Sequence, residues 1–343
     1  MSAARALRVG VVGLGAWGRE HVRAWRGLFG AELVAVCDTA AELAAAVAAE
    51  YGVPHAFTRP GEMAKAPLEL DAVSVVTHEA SHAEVASPFL QAGIPVLVEK
   101  PVALSLDEAE ALVSEAERAG TTLMPGHLLR FDARLCALHE RVLAGELGTL
   151  RSISARRLAP RSRHAKVSRS HPAVSTTIHD LDLLRWFFGE EPATVQAWAR
   201  HTDGAERPDL LWSVVEFEGG QVGLTETGWV LPDGAGLWLE SELEVIGTDG
   251  IARVHLPGNV LSLYLTSGFE RPETSVLPGP EAAATGTLRD ELAYFAGCVA
   301  SNAPPQRADA RDSLESLRLA LAVAEAEGTG QSVQLSGARS TRP

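Results

Sequence analysis

The sequence has few cysteines, a deficit of basic residues and no long apolar run. Its three cysteines, Cys37, Cys136 and Cys298, are widely spaced, which predicts neither a disulfide framework nor a zinc site and favours a reducing cytoplasm. Lys and Arg number 30 against 44 Asp and Glu, and the net charge of −14 disfavours nucleic acid as a partner. No apolar run approaches the ~20 residues that span a bilayer. The first ten residues lack the apolar core of a secretion signal, so we expect a cytoplasmic protein without a membrane partner.

The length and the change of pattern along the chain predict two domains. The 343 residues exceed one ordinary core, and we place a dinucleotide-binding domain at 1–126 and a substrate-binding and oligomerisation domain at 127–343. In the first domain strand and helix patterns alternate, which predicts an α/β Rossmann domain with a doubly wound parallel sheet. In the second, successive strands with short glycine turns precede two closing helices. This order predicts an α+β domain with an open, mainly antiparallel sheet.

A glycine-rich loop near the start of the chain predicts a nucleotide site. The strand pattern of "LRVGVV" is followed by the spacing G-x-G-x-x-G and then by a helical pattern. The first glycine suits a tight turn, the second a close approach of pyrophosphate, and the third the packing of helix on strand. The predicted cofactor contacts in this loop are Gly13, Gly15, Ala16, Trp17 and Gly18.

Asp38 ends the second strand pattern, twenty residues after Gly18. A carboxylate at this point accepts hydrogen bonds from the adenosine ribose and repels a 2′-phosphate, so the sequence favours NAD over NADP. The alternative is that Asp38 only caps the helix that follows, because aspartate is a good N-cap.

Charge next to a buried strand marks a second candidate site. The apolar pattern "PVLVE" is followed by Lys100 and Pro101, and ligands of parallel α/β sheets bind beyond the carboxyl ends of the strands. We therefore expect Lys100 to face the nicotinamide. The alternative is an ordinary strand-end lysine in water, with Pro101 ending the strand.

Several motifs together resemble the glucose–fructose oxidoreductase and inositol dehydrogenase family (Gfo/Idh/MocA). Besides the glycine loop they are "THEASH" from Thr77, "EKP" from Glu99, "GHLLRFD" from Gly126 and "IHDLDLLRWFFG" from Ile178. The resemblance implies a dehydrogenase that acts on CH–OH groups with NAD(P). It also implies a cis Lys–Pro bond and burial of the second sheet in a homodimer or homotetramer.

The resemblance also implies roles for single residues. Lys100 contacts the hydroxyl that is oxidised, and His179 takes its proton. Glu99 orients Lys100 or lines the nicotinamide side. The remaining cofactor contacts expected from this resemblance are Thr77, His78 and His82.

The sequence departs from the family pattern at two positions. His78 replaces the usual proline, and Ser175 replaces the usual aspartate four residues before the catalytic histidine. A serine can hydrogen-bond the imidazole of His179 but cannot stabilise its cation by charge. If the helix has begun by Ser175, the two side chains share a face. The alternative is that Ser175 or Thr177 caps this helix, the latter in a capping box with Asp180.

The stretch from Arg151 to His171 contains seven Arg or Lys and no acid. One interpretation is a solvated loop or a contact to an acidic neighbour. The other is an anion clamp beside the substrate, formed by Arg161 and Arg163. Asp182, one turn after the catalytic histidine, faces the substrate or pairs with a neighbouring arginine.

Taken together, these features predict an NAD-dependent oxidoreductase. Its substrate is a ring hydroxyl or ketone of a sugar, a cyclitol or a sugar derivative, anionic if the clamp exists, and no metal is needed. One alternative is an enzyme that uses transient oxidation for elimination or hydrolysis. The other is a non-catalytic nucleotide-binding sensor, which the replacement at Ser175 keeps open.

Overall fold

The computed structural model describes residues 5–164, 169–202, 206–256, 263–265, 268–270 and 286–335. The helices are α1 (Ala16–Arg26), α2 (Ala41–Tyr51), α3 (Pro60–Lys65), α4 (His82–Gln91), α5 (Leu106–Ala119), α6 (Ala133–Leu143), α7 (Ile178–Phe188), α8 (Thr287–Ser301) and α9 (Ala310–Thr329). A π-helical turn, Ala173–Thr177, precedes α7 directly. Short 3₁₀ turns cover Glu79–Ser81, Leu128–Phe131, Arg161–Arg163, Asp233–Ala235 and Gln306–Ala308.

The strands fall into two large sheets and one small hairpin. They are β1 (Leu7–Val12), β2 (Ala31–Cys37), β3 (His55–Phe57), β4 (Ala72–Val75), β5 (Val96–Glu99), β6 (Leu123–Gly126), β7 (Leu150–Pro160), β8 (Pro192–Arg200), β9 (Leu210–Phe217), β10 (Val222–Leu231), β11 (Glu240–Gly247), β12 (Ile251–Leu256), β13 (Leu263–Leu265), β14 (Gly268–Glu270) and β15 (Val333–Gln334). Strands β13 and β14 pair with each other.

The chain folds as two compact units. The first comprises Met1–Asp132 with Ser275–Leu314, and the second Ala133–Thr274 with Glu315–Pro343. In the first unit six parallel strands lie in the order β3-β2-β1-β4-β5-β6, which confirms the predicted doubly wound sheet. Helix α5 has a cap at each end, because Ser105 accepts from the Glu108 N–H and Gly120 ends the helix with φ of +63°.

Helix α8 belongs to the first unit, whereas the sequence placed both closing helices in the second domain. Leu288, Leu292 and Phe295 are each 0% exposed and lie in the same hydrophobic core as the strands of the parallel sheet. The ring of Phe295 meets that of Trp25 on α1, with 6.4 Å between centroids. The burial of these three large apolar side chains strongly favours the packing of α8 in the core of the first unit.

The second unit contains a seven-stranded sheet in the order β12-β11-β7-β10-β9-β8-β15. Its neighbouring strands are antiparallel except β7 and β10, so the prediction of a mainly antiparallel sheet is confirmed. Helix α7 packs closely on β10, because a Cβ on Gly223 would lie 2.4 Å from Leu184 Cδ1. Side chains that point away from the core are more exposed, with Trp198 at 50% and Leu224 at 40%, while Trp229 is buried.

Candidate active site

Two glycines of the loop after β1 are required by close backbone neighbours. Gly13 has φ of +90°, and a Cβ on it would lie 2.5 Å from the carbonyl oxygen of Val76. A Cβ on Gly18 would lie 1.8 Å from the carbonyl oxygen of Gly13. Backbone atoms cannot move aside as a flexible side chain can, so these two positions exclude any larger residue.

Gly15 differs because the space beside it is open. A Cβ on Gly15 would meet no heavy atom of the described residues within 4 Å. Gly15 is also the N-cap of α1, whose first turn contains no acidic residue. The N–H groups at this helix start therefore favour an anion in that space. The loop fits the pyrophosphate of NAD, which the backbone of Gly15, Ala16 and Trp17 would hold.

The carboxylate of Asp38 binds two backbone N–H groups. Its Oδ2 accepts from Leu14 in the glycine loop at 2.8 Å, and its Oδ1 accepts from Ala40 at the start of α2 at 2.9 Å. Asp38 thus fixes the glycine loop and the turn before α2, but it is not the cap of that helix, whose N-cap is Ala40. Because each carboxylate oxygen has two lone pairs, the half-buried Asp38 keeps acceptor capacity for ribose hydroxyls.

Glu99, the last residue of β5, is a buried acid with several hydrogen-bond donors around it. Trp17 Nε1 donates to its Oε1 at 2.6 Å, and His21 Nε2 lies 3.1 Å from the same oxygen. The backbone N–H of Lys100 donates to Oε2 at 3.2 Å. Burial alone would raise the pKa of Glu99, but the hydrogen bond and charge of His21, the charge of Lys100 and the Trp17 indole bring this pKa below its usual value. A carboxylate anion therefore lies directly before Lys100.

The peptide bond between Lys100 and Pro101 is cis, as the resemblance implied. The carbonyl oxygen of Pro101 lies 2.6 Å from His82 Nδ1, and the other ring nitrogen lies 3.1 Å from the Thr77 carbonyl oxygen. Burial lowers the pKa of His82, and a neutral ring has a single N–H, so it can donate to only one of the two carbonyls. Since both nitrogens face backbone, His82 joins the loop after β4 to the bend after β5.

The other two loop residues singled out by the sequence differ in exposure. Thr77 is half-buried, and its hydroxyl accepts from the Ser81 hydroxyl at 3.0 Å. The side chain of His78 is 56% exposed and lies 3.8 Å from the carboxylate of Glu79. The loop therefore fixes the Thr77 hydroxyl, whereas His78 lies at the surface of its unit.

In the second unit, the segment that contains His179 is helical well before that residue. The π-helical turn begins at Ala173, with Pro172 as its N-cap, and continues into α7 without a break. Ser175 lies inside this helical segment, so the structure does not support the interpretation of Ser175 as a cap. A π-turn marks a local departure from α-helical hydrogen bonding and is frequent at functional sites.

Ser175 and His179 share the more open side of this segment. Both are half-buried, whereas Thr177, Ile178 and Asp180 are buried. A π-turn contains more residues than an α-turn, so side chains four residues apart lie more nearly above one another. Positions 175 and 179 are therefore about one turn apart on this side of the segment.

Thr177 fixes the π-turn against the sheet. Its hydroxyl donates to the carbonyl oxygen of Pro172 at 3.2 Å and lies 3.0 Å from the hydroxyl of Thr227 on β10. Thr177 makes no capping hydrogen bond, so the predicted capping box with Asp180 is absent. The buried hydroxyl instead satisfies a backbone carbonyl that the wider turn leaves accessible.

The two acids of α7 make internal contacts. Asp180 is 2% exposed and accepts from Nε and Nη2 of Arg157, at 3.0 and 2.7 Å. Asp182 is 1% exposed and accepts from the Ser316 hydroxyl at 2.9 Å, which is itself 3.3 Å from Arg185 Nη1. The expected substrate contact of Asp182 is therefore corrected to a structural role, because the carboxylate lies inside the unit next to its own partners.

The basic stretch from Arg151 is not a loop over its first half. Residues Leu150–Pro160 form β7, which lies between β10 and β11 in the sheet. On this strand Arg156 pairs with Glu240 at 2.9 Å, and Arg157 pairs with Asp180. These two arginines therefore contact acidic neighbours, as one interpretation allowed, and do not lie in a solvated loop.

The two arginines expected to clamp an anion lie beyond β7 and differ from each other. Arg163 stacks over the ring of Trp238, 4.4 Å from its centroid, and donates to the Trp238 carbonyl oxygen at 2.9 Å. Burial lowers the pKa of Arg163. Arg161 is exposed, and its positive charge contributes to the lowered pKa of Asp233. Lys166 lies outside the described residues.

Two residues of the first unit were missed by the sequence reasoning. His21 lies three residues after the last loop glycine, and its contact with Glu99 comes from a distant strand. Glu291 shares the buried face of α8 with Leu288, Leu292 and Phe295, at helical spacing. An acid at an apolar-face position was the available signal for Glu291.

Within the described residues, no helix is long and apolar enough to cross a membrane. In the same part of the chain no group of three or more His, Cys, Asp or Glu side chains could hold a metal ion.

Comparison with known proteins identifies the family of the chain. Residues 7–127 match the model of an oxidoreductase family with an NAD-binding Rossmann fold (GFO_IDH_MocA), and residues 136–253 match the GFO/IDH/MocA C-terminal domain. The 1,5-anhydro-D-fructose reductase of Ensifer adhaerens is 30% identical over 96% of this chain and 98% of its own. The UDP-N-acetylglucosamine 3-dehydrogenase of Acidithiobacillus ferrooxidans is 31% identical over 87% of this chain and 90% of its own.

A solved structure agrees with this assignment. The apo scyllo-inositol dehydrogenase of Lactobacillus casei has a TM-score of 0.84 to this fold, at 25% identity over 96% of this chain and 98% of its own. The chain therefore belongs to the Gfo/Idh/MocA family of oxidoreductases and is an NAD-binding dehydrogenase.

Proposed function

We propose that the protein transfers a hydride between NAD and a ring hydroxyl or ketone of a sugar, cyclitol or sugar derivative. The observation that carries this proposal is the bend Glu99–Lys100–Pro101, where a buried anion precedes a lysine at the carboxyl end of β5. Ligands of doubly wound sheets bind at that end. The names of the relatives, which include a sugar reductase, a UDP-sugar dehydrogenase and an inositol dehydrogenase, support the substrate class.

The cofactor contacts that we propose follow from the first unit alone. The pyrophosphate binds at the start of α1, and the ribose binds to Asp38. Thr77, His78, His82, Glu99 and Lys100 line the nicotinamide side, with His82 acting through the two backbone carbonyls that it contacts. When bound, NAD supplies the hydride acceptor, and the side chains of the protein supply the charge and the base.

We assign catalytic roles to Lys100, His179 and Ser175. A carbinol is a weak acid. Its oxidation therefore needs a base whose pKa is close to neutral pH and a cation that stabilises the developing alkoxide. Lys100 provides the cation. His179 accepts the hydroxyl proton on its imidazole, and Ser175 orients that ring from the adjacent turn without adding a charge.

We propose fewer substrate-contacting residues than the sequence suggested. Arg161 is proposed to bind an anionic group of the substrate, such as the diphosphate of a nucleotide sugar or the carboxylate of a sugar acid. Arg163 supports the same segment through Trp238. A neutral polyol as the best substrate would remove this role from Arg161.

We further propose a homodimer or homotetramer formed through the open face of the second sheet. The half-exposed Trp198 and Leu224 on this face support the proposal, because large apolar side chains gain from being covered. The mass of the protein in solution tests it.

A panel of cyclitols, aldoses, sugar acids and nucleotide sugars, each mixed with NAD, tests the reaction. A dehydrogenase accumulates NADH in step with the oxidised product. An enzyme that uses transient oxidation forms product without net NADH. A sensor binds ligand and forms neither, and that result would contradict the proposed reaction.

Replacement of Asp38 tests the ribose contact. Asp38→Asn keeps an acceptor for Leu14 but removes the charge, and Asp38→Ala removes both. A charge-assisted hydrogen bond contributes about 1.5–3 kcal/mol, so we expect NAD affinity to fall by roughly 10- to 100-fold in the alanine variant. Calorimetric titration with NAD and NADP measures the loss of NAD affinity and the smaller difference between the affinities for the two cofactors. Equal affinity of the unmodified protein for the two cofactors would argue against the assignment.

Replacement of Lys100 tests the proposed cation. Lys100→Met should leave folding and NAD affinity intact and lower kcat by at least ~100-fold, because the charge serves the transition state. Lys65→Met, at an exposed position on α3, is the matched control and should behave as the unmodified protein. Normal turnover of Lys100→Met would contradict the catalytic role and support the alternative that Lys100 is an ordinary strand-end residue.

Replacement of Ser175 tests its contact with the base. Ser175→Asp should raise the pKa of the imidazole by about one unit and shift the rising limb of the kcat/KM profile to higher pH by the same amount. Ser175→Asn adds similar volume without charge and should not shift the profile. An NMR titration of His179 measures the pKa directly, and coincident curves for all three proteins would remove Ser175 from the catalytic group.

A further inference from the structure

Glu291 is an acid inside the hydrophobic core of the first unit. It lies on α8 between Leu288 and Phe295, on the face that packs against α1 and the parallel sheet, and it is 0% exposed. Neither of its carboxyl oxygens has a hydrogen-bond partner among the residues that the structure describes. An ionised carboxylate in such surroundings is very costly, so the group stays protonated instead.

The charged group that acts on Glu291 is Glu99. Burial, and after it the negative charge of Glu99, raise the pKa of Glu291 well above its usual value. Glu99 itself remains ionised because Trp17, His21 and the Lys100 backbone N–H hydrogen-bond to it. The two acids are therefore unequal, one anionic with several donors and one neutral with none.

The other titratable groups around this pair come from three places, which are α1, the bend after β5 and α8 itself. His21 on α1 and Lys100 after β5 act on Glu99. Asp290 and Arg289 lie on the same helix as Glu291 and pair with each other at 3.6 Å. Glu291 is thus the neutral member of a cluster whose net charge a single proton can change.

This cluster is tied directly to the nucleotide loop. Trp17 belongs to the first turn of α1, two residues after Gly15, beside which the anion space is open, and its indole donates to Glu99. Glu99 also lies at the carboxyl end of its strand, where the cofactor of a doubly wound sheet binds. A charge placed on the cofactor here would act on both acids.

We propose that Glu291 makes cofactor binding sensitive to the charge of the nicotinamide: Glu291 keeps its proton in the free protein and with NADH, and loses it to solvent when NAD⁺ binds. The inference rests on the cofactor site proposed above. The nicotinamide ring of NAD⁺ carries a positive charge, which offsets the field of Glu99 and so favours a second anion. The ring of NADH is neutral and gives no such compensation.

Binding that releases a proton is favoured by high pH. The affinity for NAD⁺ should therefore rise with pH across the titration range of Glu291, by up to about tenfold per pH unit for one released proton. The affinity for NADH should change little over the same range. Glu291 thereby favours the oxidised cofactor in alkaline conditions.

Calorimetric titration without substrate tests the proposal. NAD⁺ and NADH are titrated into the full-length protein in buffers of different ionisation enthalpy, and the slope of heat against that enthalpy counts the protons released. We expect proton release with NAD⁺ alone, and its loss in both Glu291→Gln and Glu291→Leu. The two variants share neutrality and differ in hydrogen bonding, so they separate charge from contact. Glu110→Gln, at an exposed position on α5, should release as the unmodified protein does.

Three results would overturn the inference. Undiminished release in Glu291→Gln would assign the proton to another group, such as His21. Equal release with NADH would remove the dependence on cofactor charge. Failure of NAD⁺ to bind at any pH would overturn the proposed cofactor site as well, whereas binding without proton release would overturn this inference alone.

The stability of the free protein gives a second measurement. A buried acid with a raised pKa contributes stability that is complete below the pKa of the unfolded chain and is lost as pH rises through the folded pKa. Glu291→Gln removes this loss, so its advantage in Tm over the unmodified protein should increase from pH 5 to pH 8. A Tm difference that is constant with pH would contradict a neutral, titrating Glu291.

Discussion

The burial of the Glu99 carboxylate is the constraint on which the first unit depends. An interior anion needs donors, and these come from α1 through Trp17 and His21 and from the backbone at Lys100. The same hydrogen bonds thereby fix the helix that follows the glycine loop to the end of β5. Because a buried charge without partners is untenable, the nucleotide loop and the Lys100 bend cannot move independently at low cost.

The second unit follows the same rule with different groups. Asp180 is satisfied by Arg157 from β7, and the hydroxyl of Thr177 joins the π-turn to β10. These contacts hold one side of the helical segment against the sheet, so the opposite side, with Ser175 and His179, stays half-open. Burial therefore separates these polar residues into two groups. Asp180 and Thr177 are buried and hold the segment against the sheet, whereas the half-buried Ser175 and His179 are the ones for which we propose catalytic roles.

The sequence predicted the parts of this structure that depend on local pattern. Glycine spacing, strand periodicity and the caps of α5 are set by near neighbours, and the doubly wound sheet followed from them. The membership of α8 in the first unit was not predictable in this way, because it depends on Phe295 meeting Trp25 across most of the chain. The sequence left open whether the helix begins before Ser175, because its start at Ala173 lies in a π-helical turn, which no simple periodicity marks.

The remaining errors share one physical cause, which is the burial of charge. A pattern argument tends to assign charged residues to the surface, and so it could not decide between a solvated loop, an acidic neighbour and an anion clamp for the stretch with Arg157, or between the substrate and an arginine for Asp182. In the structure each is buried beside a partner supplied by a distant segment, at Asp180 and Ser316. Such partners cannot be predicted from sequence spacing, because it is long-range packing that brings them together. Glu291 extends the argument: burial and the charge of another acid, Glu99, both raise its pKa, so the fold accommodates this side chain at lower cost while it remains protonated. A position that conflicts with local pattern in this way is where function, and not folding, best accounts for the residue.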